Sequence, residues 1–110
     1  MNLKQAEAQY EQVLLKKLKF KSWYGTAGTL NSFMVFLGPN RDPNDVFLLD
    51  IQAFLDMCRA KGNSPSTIKD KWRICRAFWD YMRSEGICDH FHDPFNFPRD
   101  FSQRRNPIIL

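Results

Sequence analysis

Five apolar side chains, Ile68, Trp72, Cys75, Trp79 and Met82, recur at intervals of four, three, four and three residues. That spacing keeps one face of an α-helix apolar and does not fit the two-residue alternation of a half-buried strand. Phe78 lies beside the stripe. Ser64-Pro65-Ser66-Thr67 opens the helix, with Ser64 as its cap and Pro65 in the first helical position, and Gly86 closes it. A helix that aims two Trp rings along one face needs other helices around it.

The rest of the chain supplies them. Residues 3–19 read as a first helix with Tyr10, Val13, Leu14 and Lys17/Leu18 inward. Its early Glu7 and Glu11 and late Lys16, Lys17 and Lys19 complement the helix dipole. Trp23, Ala27, Leu30, Met34 and Leu37 form a second stripe, with Ser22 as the expected cap and Gly38-Pro39 as the stop. Gly25 and Gly28 lie inside it, at a cost of about 1 kcal/mol each relative to Ala. Residues 39–46 read as a loop. Residues 48–60 form a third helix with Ile51, Phe54, Leu55 and Cys58 inward, stopped by Gly62. The expected fold is all-α, a compact bundle of four to five helices with no sheet.

Beyond Gly86 the pattern changes. Asp93-Pro94, Phe97-Pro98 and Asn106-Pro107 forbid a long helix, while Phe91, Phe95, Phe97 and Phe101 are available to tuck against the bundle. Residues 1–98 are read as one domain. Residues 99–110, with Arg99, Arg104 and Arg105 and an apolar Ile108-Ile109-Leu110 end, are read as the start of a linker in a truncated chain.

Charge narrows the partners. The net charge of +4 is concentrated: residues 1–21 carry five Lys against Glu7 and Glu11, and residues 64–86 carry five Lys or Arg against Asp70, Asp80 and Glu85. The stretch between is slightly acidic. Folding can bring the two basic segments onto one face, which suits nucleic acid or an acidic protein. Cys58, Cys75 and Cys88 lack framework spacing, and an odd number of core-like cysteines suits a reducing cytoplasm. No apolar run approaches the roughly 18 residues of a membrane span.

The order of elements from Asp50 to Gly86 resembles a known family. Asp50-Ile51-Gln52-Ala53-Phe54-Leu55 is followed by Ala60-Lys61-Gly62-Asn63-Ser64-Pro65-Ser66-Thr67-Ile68, then Arg76-Ala77-Phe78-Trp79-Asp80-Tyr81-Met82 and Glu85-Gly86-Ile87. This resembles the core-binding (SAM-like) domain at the N-terminus of tyrosine recombinases of the phage-integrase type. Residues 22–37 resemble the preceding helix of that domain. Two departures stand out: the family's Asn-Pro after the last long helix is here Asp93-Pro94, a little late, and the second helix carries two glycines.

The resemblance implies a bundle covering one side of a double-stranded DNA site. A separate C-terminal catalytic domain of the same parent chain covers the other side, and further recombinase subunits share the DNA. It also implies that strand breakage and rejoining belong to that catalytic domain. His90 and His92 lack the family's His-x-x-Arg spacing, and Tyr10, Tyr24 and Tyr81 fall in predicted helices, so the chain itself is expected not to be an enzyme.

Several residues are candidates for DNA contact. Ser64, Ser66 and Thr67 set hydroxyls beside the amides of a helix N-terminus, a natural phosphate site, though the same residues are also ordinary caps. Lys69, Arg73, Arg76 and Arg83 lie along one flank of that helix; Thr67, Asp70, Lys71 and Ile74 lie along another. Charge favours the first flank and the resemblance the second, and the two adjoin at the N-terminal turn. On the second helix, Tyr24, Gly25, Gly28 and Thr29 face away from the Trp23 stripe. Small residues there allow close approach to a groove or, equally, to another helix. Lys21 and Ser22 are candidate phosphate contacts, and Arg105 is a candidate linker contact.

Cys88-Asp89-His90-Phe91-His92-Asp93 lacks a second ligand pair at zinc-like spacing, so neither metal nor cofactor is expected. Trp72, Phe78 and Trp79 are assigned to packing rather than to base stacking. No nucleophile–base pair stands out, which leaves a helical protein–protein interaction module without DNA contact as the alternative.

Overall fold

The computed structural model describes residues 1–96, apart from the side chain of Phe20. Four helices carry the chain: α1 (Leu3–Lys17), α2 (Phe20–Leu37), α3 (Leu48–Ala60) and α4 (Pro65–Ser84), with a single 3-10 turn at Pro43–Asp45 before α3. No strand occurs among the described residues. The all-α bundle expected from the apolar spacing is the fold observed. No helix among these residues is long and apolar enough to cross a membrane.

α4 is the packing centre. Ile68, Trp72, Cys75, Phe78, Trp79 and Met82 are all buried along one face. Phe33 of α2 meets Trp79 at 5.7 Å and Phe54 of α3 at 4.7 Å between ring centroids. Tyr10 of α1 stacks on Phe78 at 5.3 Å. Beyond α4, Phe95 returns to the core and sits between Trp72, Trp79 and Phe33. Edge-on and tilted ring pairs of this kind add to the stabilisation that area burial alone supplies. The predicted inward faces of α3 and α4 match those observed residue for residue.

α1 and α2 differ from the sequence reading. α1 ends at Lys17, and its buried stripe is Leu3, Ala6, Tyr10 and Leu14, with Val13 half-buried and Lys17 exposed. Asn2 caps it, in a reciprocal pair with Gln5: each side chain accepts the other's amide at 2.9 Å. α2 begins at Phe20, before Ser22, because extended backbone at Lys19 lets its carbonyl accept the Trp23 amide at 2.9 Å. Ser22 is therefore an exposed residue inside the first turn and not a cap. Phe33, absent from the predicted stripe, is fully buried, while Trp23 and Ala27 are half-buried. Of the later phenylalanines, Phe95 is buried and Phe91 is exposed; Phe97, Phe101 and the whole 99–110 linker lie outside the described residues.

Connections set the directions of the helices. α1 and α2 are joined through Leu18 and Lys19, and α3 and α4 by a tight reversal in which Gly62 takes a φ of +91°. Each pair is antiparallel. The opposite ends are tied by Arg41, whose guanidinium bonds both Asp50 oxygens at 3.2 Å and the Asp45 carbonyl at 2.7 Å. The Arg41 carbonyl meanwhile accepts the Leu3 amide at 2.9 Å. Burial pushes the Asp50 carboxyl up, but the Arg41 guanidinium and the Phe47 amide outweigh it and hold the group below its ordinary range. His92 donates through Nε2 to the Val46 carbonyl at 2.6 Å and accepts at its own carbonyl from Arg83 at 3.0 Å, bringing the end of α4 to the start of α3. The start of α1, the end of α2, the start of α3 and the end of α4 thus share one end of the bundle.

One half-buried carboxyl opposes the fold. Burial raises the Glu7 carboxyl to about 8, and the hydrogen bond and negative charge of Glu11 one turn later push the same way. Its Oε2 is enclosed without a partner. A folded-state value above the unfolded one means that stability is fully present at acid pH and is lost as pH rises from the ordinary carboxylate range through about 8. Glu7→Gln should therefore melt at a higher temperature than the parent at pH 8 and at the same temperature near pH 4. Thermal unfolding followed by circular dichroism at the two pH values measures this, and equal melting at pH 8 would contradict it.

Candidate nucleic-acid interface

The helix directions sort the charges. Each helix is cut at its middle. Residues 11–28 and 55–74, which form one half of the bundle, hold nine Lys and Arg against Glu11, Asp56 and Asp70. Residues 1–10, 29–54 and 75–96, the other half, hold four Lys and Arg against eight carboxylates. The basic half is where α1 and α3 end and α2 and α4 begin. Helix N-termini there add partial positive charge from unpaired amides.

At the head of α4, Ser64 has the extended backbone of an N-cap, and its Oγ accepts the Thr67 amide at 3.3 Å. The same oxygen lies 3.2 Å from Ser66 Oγ and 3.0 Å from Thr67 Oγ1. Ser64 alone caps the helix, and the Ser66 and Thr67 hydroxyls bond to its oxygen. All three residues remain exposed, and the Ser66 amide has no hydrogen-bond partner among the described residues. A turn of this kind presents hydroxyls and an amide outward together, the arrangement that accepts a phosphate oxygen.

The cations beside it differ in availability. Lys69 is exposed and Lys71 half-buried, and neither is in an ion pair among the described residues. Arg73 is exposed but lies 3.8 Å from Asp70. The Arg76 guanidinium rests over the Trp72 ring at 5.2 Å, and Arg83 is held by Asp80, Asp93 and the His92 carbonyl at the far end. The flank expected from charge alone is therefore largely engaged within the protein. Ile74, on the competing flank, packs half-buried against the core. Lys69 and Lys71, one on each flank, are the accessible pair.

On α2, Lys21, Ser22 and Tyr24 are exposed at the same end of the bundle. No hydrogen bond or ion pair joins Lys21 or Ser22 to the head of α4 among the described residues. Gly25 and Gly28 are exposed, and a Cβ built on either meets nothing within 4 Å. Among the described residues, close packing against another helix of this chain is therefore not why glycine stands there. Thr29, expected on the outer face, is half-buried. Arg105 lies outside the described residues.

Sequence reasoning missed Arg59 and Lys61, which close α3 beside the head of α4. Arg59 is tied to Asp56 at 2.7 Å, while Lys61 is exposed. The signal was the alternation of helix direction, which puts the end of every odd helix beside the start of every even one. Elsewhere, Cys88 is buried with its thiol 3.5 Å from Asn44 Oδ1, and His92 is used by Val46, so that segment serves as a structural strap. Among the described residues no three His, Cys, Asp or Glu side chains converge as metal ligands.

The open space above Gly25 and Gly28 makes a direct test. Replacing both by Ala removes two interior helix glycines without a clash, for a gain of about 1 kcal/mol each and a rise in melting temperature of about 4–8 °C per kcal/mol for a domain this size. If the α2 face also approaches a duplex closely, the same double variant should bind DNA at least several-fold more weakly while melting higher. Unchanged binding with raised stability would remove α2 from the interface.

No protein-family model matches this chain, and neither a curated protein nor a solved structure does.

Proposed function

We propose that this chain is a double-stranded DNA-binding module, and that it serves as the core-binding domain of a site-specific tyrosine recombinase. One observation carries the DNA reading. The capped and outward-facing first turn of α4, with Lys69 and Lys71 unpaired beside it, stands in the half of the bundle where nine Lys and Arg face three carboxylates. Most protein–DNA hydrogen bonds go to phosphate and sugar, and these groups are of the kind that make them. The amino end of α4 would enter or border a major groove, with Lys21, Ser22 and Tyr24 of α2 on an adjacent stretch of backbone.

The recombinase part rests on the order of motifs from Asp50 to Gly86. In this reading the module grips one face of the recombination site, and a catalytic domain in the parent chain, reached through residues 99–110, holds the other. Chemistry belongs to that domain. Other recombinase subunits on the DNA would be further partners.

Counterion release supplies most of the affinity of such a surface, so binding should fall steeply with salt. The measurement is a titration of labelled duplex at two salt concentrations with the parent chain and a Lys69→Ala/Lys71→Ala/Arg73→Ala variant. Loss of phosphate contacts should weaken binding at least tenfold and reduce the slope of log K against log salt by about two to three. Equal, salt-insensitive signals for both proteins would end the DNA reading. A parent reading frame that continues past Leu110 without an Arg…His-x-x-Arg…Tyr domain would end the recombinase reading and leave the DNA reading standing.

A further inference from the structure

The end of the bundle farthest from the basic half exposes apolar side chains that the DNA reading does not use. Phe47 is 58% exposed, Leu49 76% and Phe91 90%. Phe47 meets the His92 ring edge-on at 5.3 Å, and Asn44, Asp89, Phe91 and His92 line a shallow, open depression of about 330 Å³. We propose that this surface docks a cationic segment of another protein, one that inserts an apolar side chain beside Phe91 and sets Lys or Arg against the surrounding carboxylates.

The surface is built and not frayed. Asn44 Oδ1 accepts the Asp89 amide at 2.8 Å and the Cys88 thiol at 3.5 Å, locking the segment after α4 onto the turn before α3. His92 is fixed from both sides, through Nε2 to Val46 and through its carbonyl to Arg83. Asp89 Oδ1 accepts the Phe91 amide at 2.9 Å, which sets the backbone that carries the exposed ring. The exposed side chains on this backbone keep apolar area in water that a partner could cover. Apolar side chains grouped beside a depression of fixed backbone offer a partner an anchoring point.

Charge selects the occupant. Among the described residues this half of the bundle has four Lys and Arg against eight carboxylates, and two of those cations are already committed, Arg41 to Asp50 and Arg83 to Asp80 and Asp93. Asp42, Asp45 and Asp89 are exposed around the depression and in no ion pair among the described residues. Three unpaired carboxylates around the depression disfavour a duplex or an anionic lipid surface. A partner that brings positive charge around an apolar anchor is attracted and oriented. The proposal is independent of the DNA reading, since it uses the other end of the fold.

The probe is a designed helical peptide of Leu and Lys, with a matched Leu and Glu peptide as its counterpart, each titrated into the isotope-labelled chain of 110 residues. The Leu/Lys peptide should shift amide resonances of residues 44–49 and 88–92 saturably, and the Leu/Glu peptide should not. A Leu49→Ser/Phe91→Ser variant, altered only at exposed positions, should bind the Leu/Lys peptide at least tenfold more weakly, with its melting temperature and duplex binding unchanged. Equal response to both peptides, shifts confined to other residues, or full binding by the variant would overturn the proposal. So would sedimentation showing that the parent chain self-associates and the variant does not, which would make a second copy the occupant.

Discussion

The arrangement of this bundle depends on Arg41. One guanidinium closes the end of α2 against the start of α3 through both oxygens of Asp50, while the backbone carbonyl of the same residue holds the first amide of α1. Three helix ends are thereby fixed at one point. A paired fork of this kind is directional in a way that apolar packing is not. The aromatic core of Phe33, Phe54, Phe78 and Trp79 supplies the bulk of the burial, but greasy surfaces tolerate several helix orders. The Arg41 knot selects one of them.

Once the directions alternate, charge segregation follows from sequence. Each charged run was legible alone: lysines late in α1 and at the start of α2, and Lys69, Lys71 and Arg73 early in α4. Only the alternation places them in one half, with Arg59 and Lys61 from α3 beside them. The same alternation collects Asp42, Asp45, Asp89 and Asp93 in the other half. A net charge of +4 over the chain therefore understates the field at either end. Two ends of opposite sign can bind two classes of partner without competition, which a uniformly basic bundle cannot do.

What could be read from the sequence follows from how strongly each helix is dictated locally. α4 and α3 were legible because their inward faces are large and regular, and because Ser64, Pro65 and Gly62 mark their ends by backbone chemistry. α1 was less so. Half of its buried stripe is Leu3 and Ala6, too near the terminus and too small to dominate a periodicity. The start of α2 was misplaced because Ser22 is a good cap in isolation, and the reversal at Leu18 and Lys19 that starts the helix earlier carries no side-chain signature. Phe33 escaped because it lies one residue off the regular stripe, and what buries it is the aromatic cluster from α3, α4 and Phe95, a long-range fact. At the site, charge pointed to Arg73 and Arg76, but Asp70 and Trp72 occupy those side chains, and only three-dimensional contacts reveal such engagement.

α4 joins the two ends. Its apolar face packs against every other helix, and groups carried on a helix anchored in this way keep their geometry better than the same groups on a loop. Its last turn is tied by Arg83 to the strap of residues 88–93 at the opposite end of the bundle. The neighbouring α2 contrasts with it: two exposed glycines lower helix stability there although nothing crowds them. α2 nonetheless packs on α1, α3 and α4 as α4 packs on its own neighbours, so the helix stability its two exposed glycines give up is offset by its buried face and not by contacts at the glycines themselves.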